Sequence, residues 1–63
     1  MERLKEAQAL FKQPLTIEVL RQLDQLEKQA RGEEADRIGE LWEAVMADAE
    51  DELLNQAREE GLL

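Results

Sequence analysis

Sixty-three residues make one domain at most, and a chain this short buries only about 60 % of the surface its unfolded form exposes. There is no Cys, His, Ser or Tyr and a single Thr, which removes disulfides, thiolate and imidazole metal sites and the usual nucleophiles and general bases; an enzyme, a metal site and a cofactor are all unexpected. Eight basic residues against 16 acidic ones leave a net charge of −8, which repels nucleic-acid phosphates and anionic lipid heads.

The charge is uneven. Residues 1–31 carry six basic and five acidic side chains, whereas residues 32–63 carry two and eleven. Eleven Leu, eight Ala and twelve Glu are strong helix formers. The β-branched residues are only Thr16, Ile17, Val19, Ile38 and Val45, too few to build strands. The composition therefore predicts a single all-α domain over residues 1–63.

The first element spans about residues 2–12, with Leu4, Ala7 and Phe11 as its apolar stripe and Leu10 roughly 95° off it. Its opening segment has no apolar run and mixes both charge signs, unlike a secretory leader. No run approaches the roughly 20 residues that span a bilayer. A soluble protein, intracellular or recombinantly expressed, is the expectation.

Pro14 closes this element, because proline lacks an N–H and clashes with the carbonyl four residues back. Thr16 is a good N-cap for the next helix, with Leu15 and Leu20 at the spacing of a hydrophobic staple. The second helix covers about 17–31, its stripe formed by Val19, Leu23, Leu26 and Ala30 with Leu20 on the edge; Ile17 lies roughly 130° away. Continued through a straight helix, the first two stripes would differ by roughly 100°. A break at Pro14 lets both turn inward. Asp24–Lys28, Glu27–Arg31 and Glu33–Arg37 are i,i+4 pairs in the favourable order.

Gly32 suits the left-handed residue after a helix end. A third helix is predicted over about 34–60, closed by Gly61 with Leu62 as the apolar contact of a Schellman end. Ile38, Leu41, Val45 and Ala49 form its centre line. Ala35, Trp42, Met46, Leu53 and Ala57 form a second line about 60° to one side, and Leu54 falls roughly 140° from the stripe. The expected architecture is a compact three-helix bundle.

No residue pattern carries chemistry. Asp48, Glu50, Asp51 and Glu52 diverge around a predicted helix and lack the Gly turn of a calcium loop. Glu40 and Glu43 lie opposite the apolar stripe. Gly39 costs its helix about 1 kcal/mol against Ala and lies one turn before Trp42, on the side shared with Met46. Either the indole needs that room in the core, or the side is a notch for another chain. A first helix of about 16 Å cannot cover a third helix of about 40 Å. Gly39, Trp42, Met46 and Leu53, with the off-stripe Ile17 and Leu54, are therefore the candidate partner-binding residues.

In its Leu/Ala/Glu-dominated helices, very short turns at Pro14–Thr16 and Gly32, and lack of Ser and His, the whole chain resembles computationally designed three-helix mini-proteins of the binder type. That resemblance implies a non-catalytic module engaging another protein through one or two helix faces, with an aromatic or aliphatic anchor near Trp42 and Met46. A weaker resemblance is to the Rop family of helical-hairpin dimers that bind RNA loop pairs, through Glu33-Glu34-Ala35-Asp36 before Leu41. Pro14 breaks the first helix of such a hairpin, and the basic RNA-contacting face is missing. The alternatives are thus a small natural acidic regulator, inhibiting a nucleic-acid-binding protein or binding RNA as a dimer. A homodimer is compatible with either, and nucleic acid and membrane are not expected partners of the favoured reading.

Overall fold

The computed structural model describes all 63 residues and contains helices only: α1 (Glu2–Leu10), α2 (Ile17–Gln29), α3 (Glu33–Asp48) and α4 (Asp51–Glu59). The all-α expectation matches; the number of helices does not. The segment expected as one helix over 34–60 is two, broken at Ala49 and Glu50, whose backbones are extended (ψ 147° and 155°).

Neither Gly nor Pro causes this break. Its first cause is electrostatic. Asp48, Glu50, Asp51 and Glu52 crowd five positions, and a continuous helix would set Asp48 against Glu52 at i,i+4, a repulsive pair. After the break, Asp51 and Glu52 lie in the first turn of α4, where the helix dipole favours carboxylates. Its second cause is burial. Leu54 pointed away from the stripe of a straight helix, but α4 turns back onto α2 and buries Leu54 and Ala57. Burying one Leu is worth roughly 1.5–3 kcal/mol, enough to offset a short interruption. The Glu50 carbonyl accepts the Leu54 N–H, so the helix restarts at once.

Helix α2 is the shared wall. It packs against α1, α3 and α4, while α1 also lies against α3. Leu20 and Leu23 of α2, with Ile38 and Val45 of α3, are completely buried. Because α1 touches both α2 and α3, it needs two apolar sides, and Leu10 is buried rather than off the stripe. The radius of gyration is 10.9 Å, close to the roughly 11 Å of a compact domain of this length.

The helix ends show which local signals act. Thr16 Oγ1 accepts the Val19 N–H at 3.3 Å, the N-cap bond that its position predicts. Gly61, at φ 78°, ends α4 in a Schellman motif: Leu62 N–H donates to the Ala57 carbonyl at 2.8 Å and Gly61 N–H to that of Arg58 at 3.1 Å. Leu62 packs against the core. Gly32 differs from expectation. Helix α2 stops at Gln29 with Ala30 extended, and Gly32 is instead the N-cap of α3, at φ 60° and ψ −132°. Helix α1 is shorter than expected and finishes in tight turns, with Phe11, Lys12 and Gln13 N–H groups donating three residues back. Its start has no capping side chain of its own, since the N-cap is Met1. Glu34 of α3 reaches across, and its carboxylate accepts the Leu4 N–H at 3.1 Å.

The end of α4 is tied to α2 by one ion pair. Arg21 of α2 donates to both carboxylate oxygens of Glu60, from Nε at 2.8 Å and Nη2 at 2.7 Å. The hydrogen bond from Arg21, aided by its charge and opposed by partial desolvation, holds the Glu60 carboxyl below the ordinary 4.5. A depressed folded-state pKa stabilises above the unfolded value, and that contribution disappears as pH falls through the folded one. The gap in urea midpoint between the wild type and Glu60→Gln is therefore expected to be constant above about pH 5 and to close as the pH drops below 4.5. A gap that persists at pH 2 would show that the pair contributes nothing through its charge.

Candidate functional site

The six candidate residues separate into three groups. Trp42 and Leu54 belong to the core, 8 % and 9 % exposed. Gly39 and Ile17 are half-buried, Ile17 packed against the core from the start of α2. Met46 stays 51 % exposed, and Leu53 is half-buried at the start of α4. The continuous flank from Ala35 to Ala57 that a straight third helix would have offered does not exist, because the break at Ala49 turns Leu53, Leu54 and Ala57 onto another axis.

The residue that organises the first part of that flank is Glu27. Its expected partner was Arg31, one turn along α2. That pair does not form. The Trp42 indole Nε1 donates to Glu27 Oε1 at 3.1 Å, across 15 residues of sequence. The other carboxylate oxygen lies over Gly39, 3.0 Å from where a Cβ would stand. The glycine thus makes room for a carboxylate, and the carboxylate satisfies an indole whose residue is only 8 % exposed. Burying the indole demands such an acceptor. The two other i,i+4 pairs form as expected, Lys28–Asp24 at 2.9 Å and Arg37–Glu33 at 3.1 Å. Sequence spacing missed Glu27 because its partner is not local. The unexplained Gly39 was the one signal pointing there.

Two recesses mark the surface. The larger, about 470 Å³, runs between α1 and α2, with Leu10 and Leu26 among Glu6, Arg21 and three glutamines. The smaller, about 350 Å³, lies where the α1–α2 link meets the α3–α4 corner. Phe11, Leu15, Ala49 and Leu53 line it, with Asp48 and Glu50 beside them. Met46, on α3 three residues before Ala49, does not line this second recess. No group of three or more acidic side chains converges as a metal site would require, and no helix is long and apolar enough to cross a membrane. Comparison with known protein families, curated proteins and solved structures gives no match, so the functional reading rests on the geometry of the chain itself.

Three substitutions test the Glu27–Gly39–Trp42 arrangement. Trp42→Ala is expected to cost about 3–5 kcal/mol of folding stability, most of what a domain this small possesses; a chemical-denaturation curve reads it. In the Glu27→Ala background, Gly39→Ala should stabilise by about 0.5–1 kcal/mol, the helix-propensity gain. In the wild type, the new methyl displaces the carboxylate and that gain is largely cancelled. Equal effects in both backgrounds would mean that Glu27 does not determine the glycine.

Proposed function

We propose that this chain is a non-catalytic mini-bundle that binds another protein through the exposed apolar end of α3. The observation that carries the reading is Met46. Apart from the terminal Met1 and Leu63, it is the one large apolar side chain left exposed, in a fold that turns its other large apolar side chains inward. Methionine is an adaptable contact residue, and the half-buried Leu53 extends the apolar surface beyond the helix break. The idealised helix composition, with few hydroxyls and short turns, supports a binder of designed type. The anchor proposed from sequence is thereby narrowed: Trp42 shapes the support, and Met46 makes the contact.

A second reading is favoured by one observation. Asp48, Glu50, Asp51 and Glu52 are all exposed in the strongly acidic half of the chain, as an acidic inhibitor of a nucleic-acid-binding protein requires. Salt separates the two readings. Affinity resting on carboxylates falls steeply with ionic strength, whereas affinity resting on Met46 does not.

The test is a selection of displayed random peptides on the immobilised chain. Recovered ligands are expected to lose about tenfold or more in affinity on Met46→Asp, on the scale of an interface anchor, and to be indifferent to Glu40→Gln on the outer face of α3. Ligands indifferent to Met46→Asp would overturn the proposal, as would a selection that returns none. Sedimentation of the chain alone identifies the remaining case, a dimer dissolved by the same substitution, in which the partner is a second copy.

A further inference from the structure

The break between α3 and α4 is a two-residue hinge made of helix formers. Ala49 (φ −75°, ψ 147°) and Glu50 (φ −71°, ψ 155°) are extended, although alanine and glutamate both favour the helix. The bend also leaves backbone bonding unmade. No hydrogen bond uses the Glu50 N–H, which a helix running on from α3 would join to the carbonyl four residues back. Propensity and backbone bonding thus favour a straight helix here. Repulsion between Asp48 and Glu52 and the burial of α4 on α2 oppose it.

That burial does not require the α4 of the same chain. It consists of one amphipathic face carrying Leu54 and Ala57, closed by the Arg21–Glu60 clasp. In a straight third helix Leu54 lies roughly 140° from the apolar stripe, so it faces away from its own bundle. The α2 of a second copy can cover it there. An undocked α4 of nine residues is too short to stay helical alone, but on a second copy it reforms as the continuation of α3. Exchange of this kind keeps the contacts of α4, adds the missing helical bonds of the hinge and costs only the association of two chains. Short hinges under strain invite it.

We propose that two copies of this chain exchange α4: Ala49 and Glu50 turn helical, residues 33–59 form one helix, and the α4 of each copy packs on the α2 of the other, Glu60 of one pairing with Arg21 of the other. This interface does not rest on the Met46 contact.

Sedimentation of the full chain is expected to show a monomer–dimer equilibrium as its concentration nears the roughly millimolar effective concentration of a short tether. Glu50→Pro locks the bend. The φ of Glu50 fits proline, its N–H is free, and Ala49 already has the extended backbone that precedes a proline. This variant should keep the helical circular dichroism of the wild type and stay monomeric, because proline breaks the straight helix. Glu52→Lys acts the other way. It turns a repulsive i,i+4 pair of the straight helix into an attractive one and sets a cation at the unfavourable amino end of the bent α4, so it should lower the dimer dissociation constant about tenfold or more.

Mixing identifies the exchanged element. Arg21→Glu chains and Glu60→Arg chains each place like charges where the clasp stands, whereas exchange between the two pairs opposite charges at both positions. The mixture should therefore form more heterodimer than either chain forms homodimer. Were Glu50→Pro to unfold, this mixture decides alone: no excess of heterodimer overturns the proposal. Wild type and Glu52→Lys both monomeric at about 1 mM would overturn it, as would a dimer that survives in folded Glu50→Pro. A dimer kept by Glu50→Pro and dissolved by Met46→Asp is the side-by-side contact of the preceding reading. A dimer dissolved by Glu50→Pro and kept by Met46→Asp supports the exchange, so the two readings fail separately.

Discussion

Leu20 and Leu23 on one side of α2 form the surface that all the other helices require. Each of α1, α3 and α4 packs against it, and α1 and α4, at nine residues each, are too short to persist as isolated helices. The geometry of the molecule follows from three elements competing for one wall. Helix α3 takes its length, α1 wedges against α2 and α3 together, and α4 must turn back to reach it. That turn produces the break at Ala49–Glu50, and the break produces the recess.

The polar interactions that fix the arrangement are mostly long-range carboxylate contacts. Glu34 supplies the missing cap of α1, Glu27 receives the Trp42 indole, and Glu60 clasps Arg21. Each joins two different helices. The excess of acid in the sequence is thus partly structural.

Local chemistry was legible in the sequence. The Thr16 cap, the stop before Pro14 and the Gly61 end all depend on groups within a few residues of one another, and they form as their spacing predicts. The division of the last helix was hidden because helix-breaking residues are absent there. Leu54, set on the wrong side of a straight helix, and four acids in five positions were its traces. Glu27 was hidden for a different reason: Arg31 satisfied the local rule, while the tertiary fold offered a buried indole donor that had no other acceptor. Of the six candidate residues, the sequence placed Met46 on the exposed surface, whereas Trp42 and Leu54 are buried in the core.

Helix α4 rests on α2, and its further ties to the rest of the chain are few. A nine-residue helix that leaves its wall also loses its helical state, so undocking and melting are one event, and this C-terminal piece is the first part of the fold to open. Leu53 and the Glu50 cap go with it. The recess therefore exists only while α4 is docked, and whatever occupies it tightens the hold of the last helix on the others by mass action.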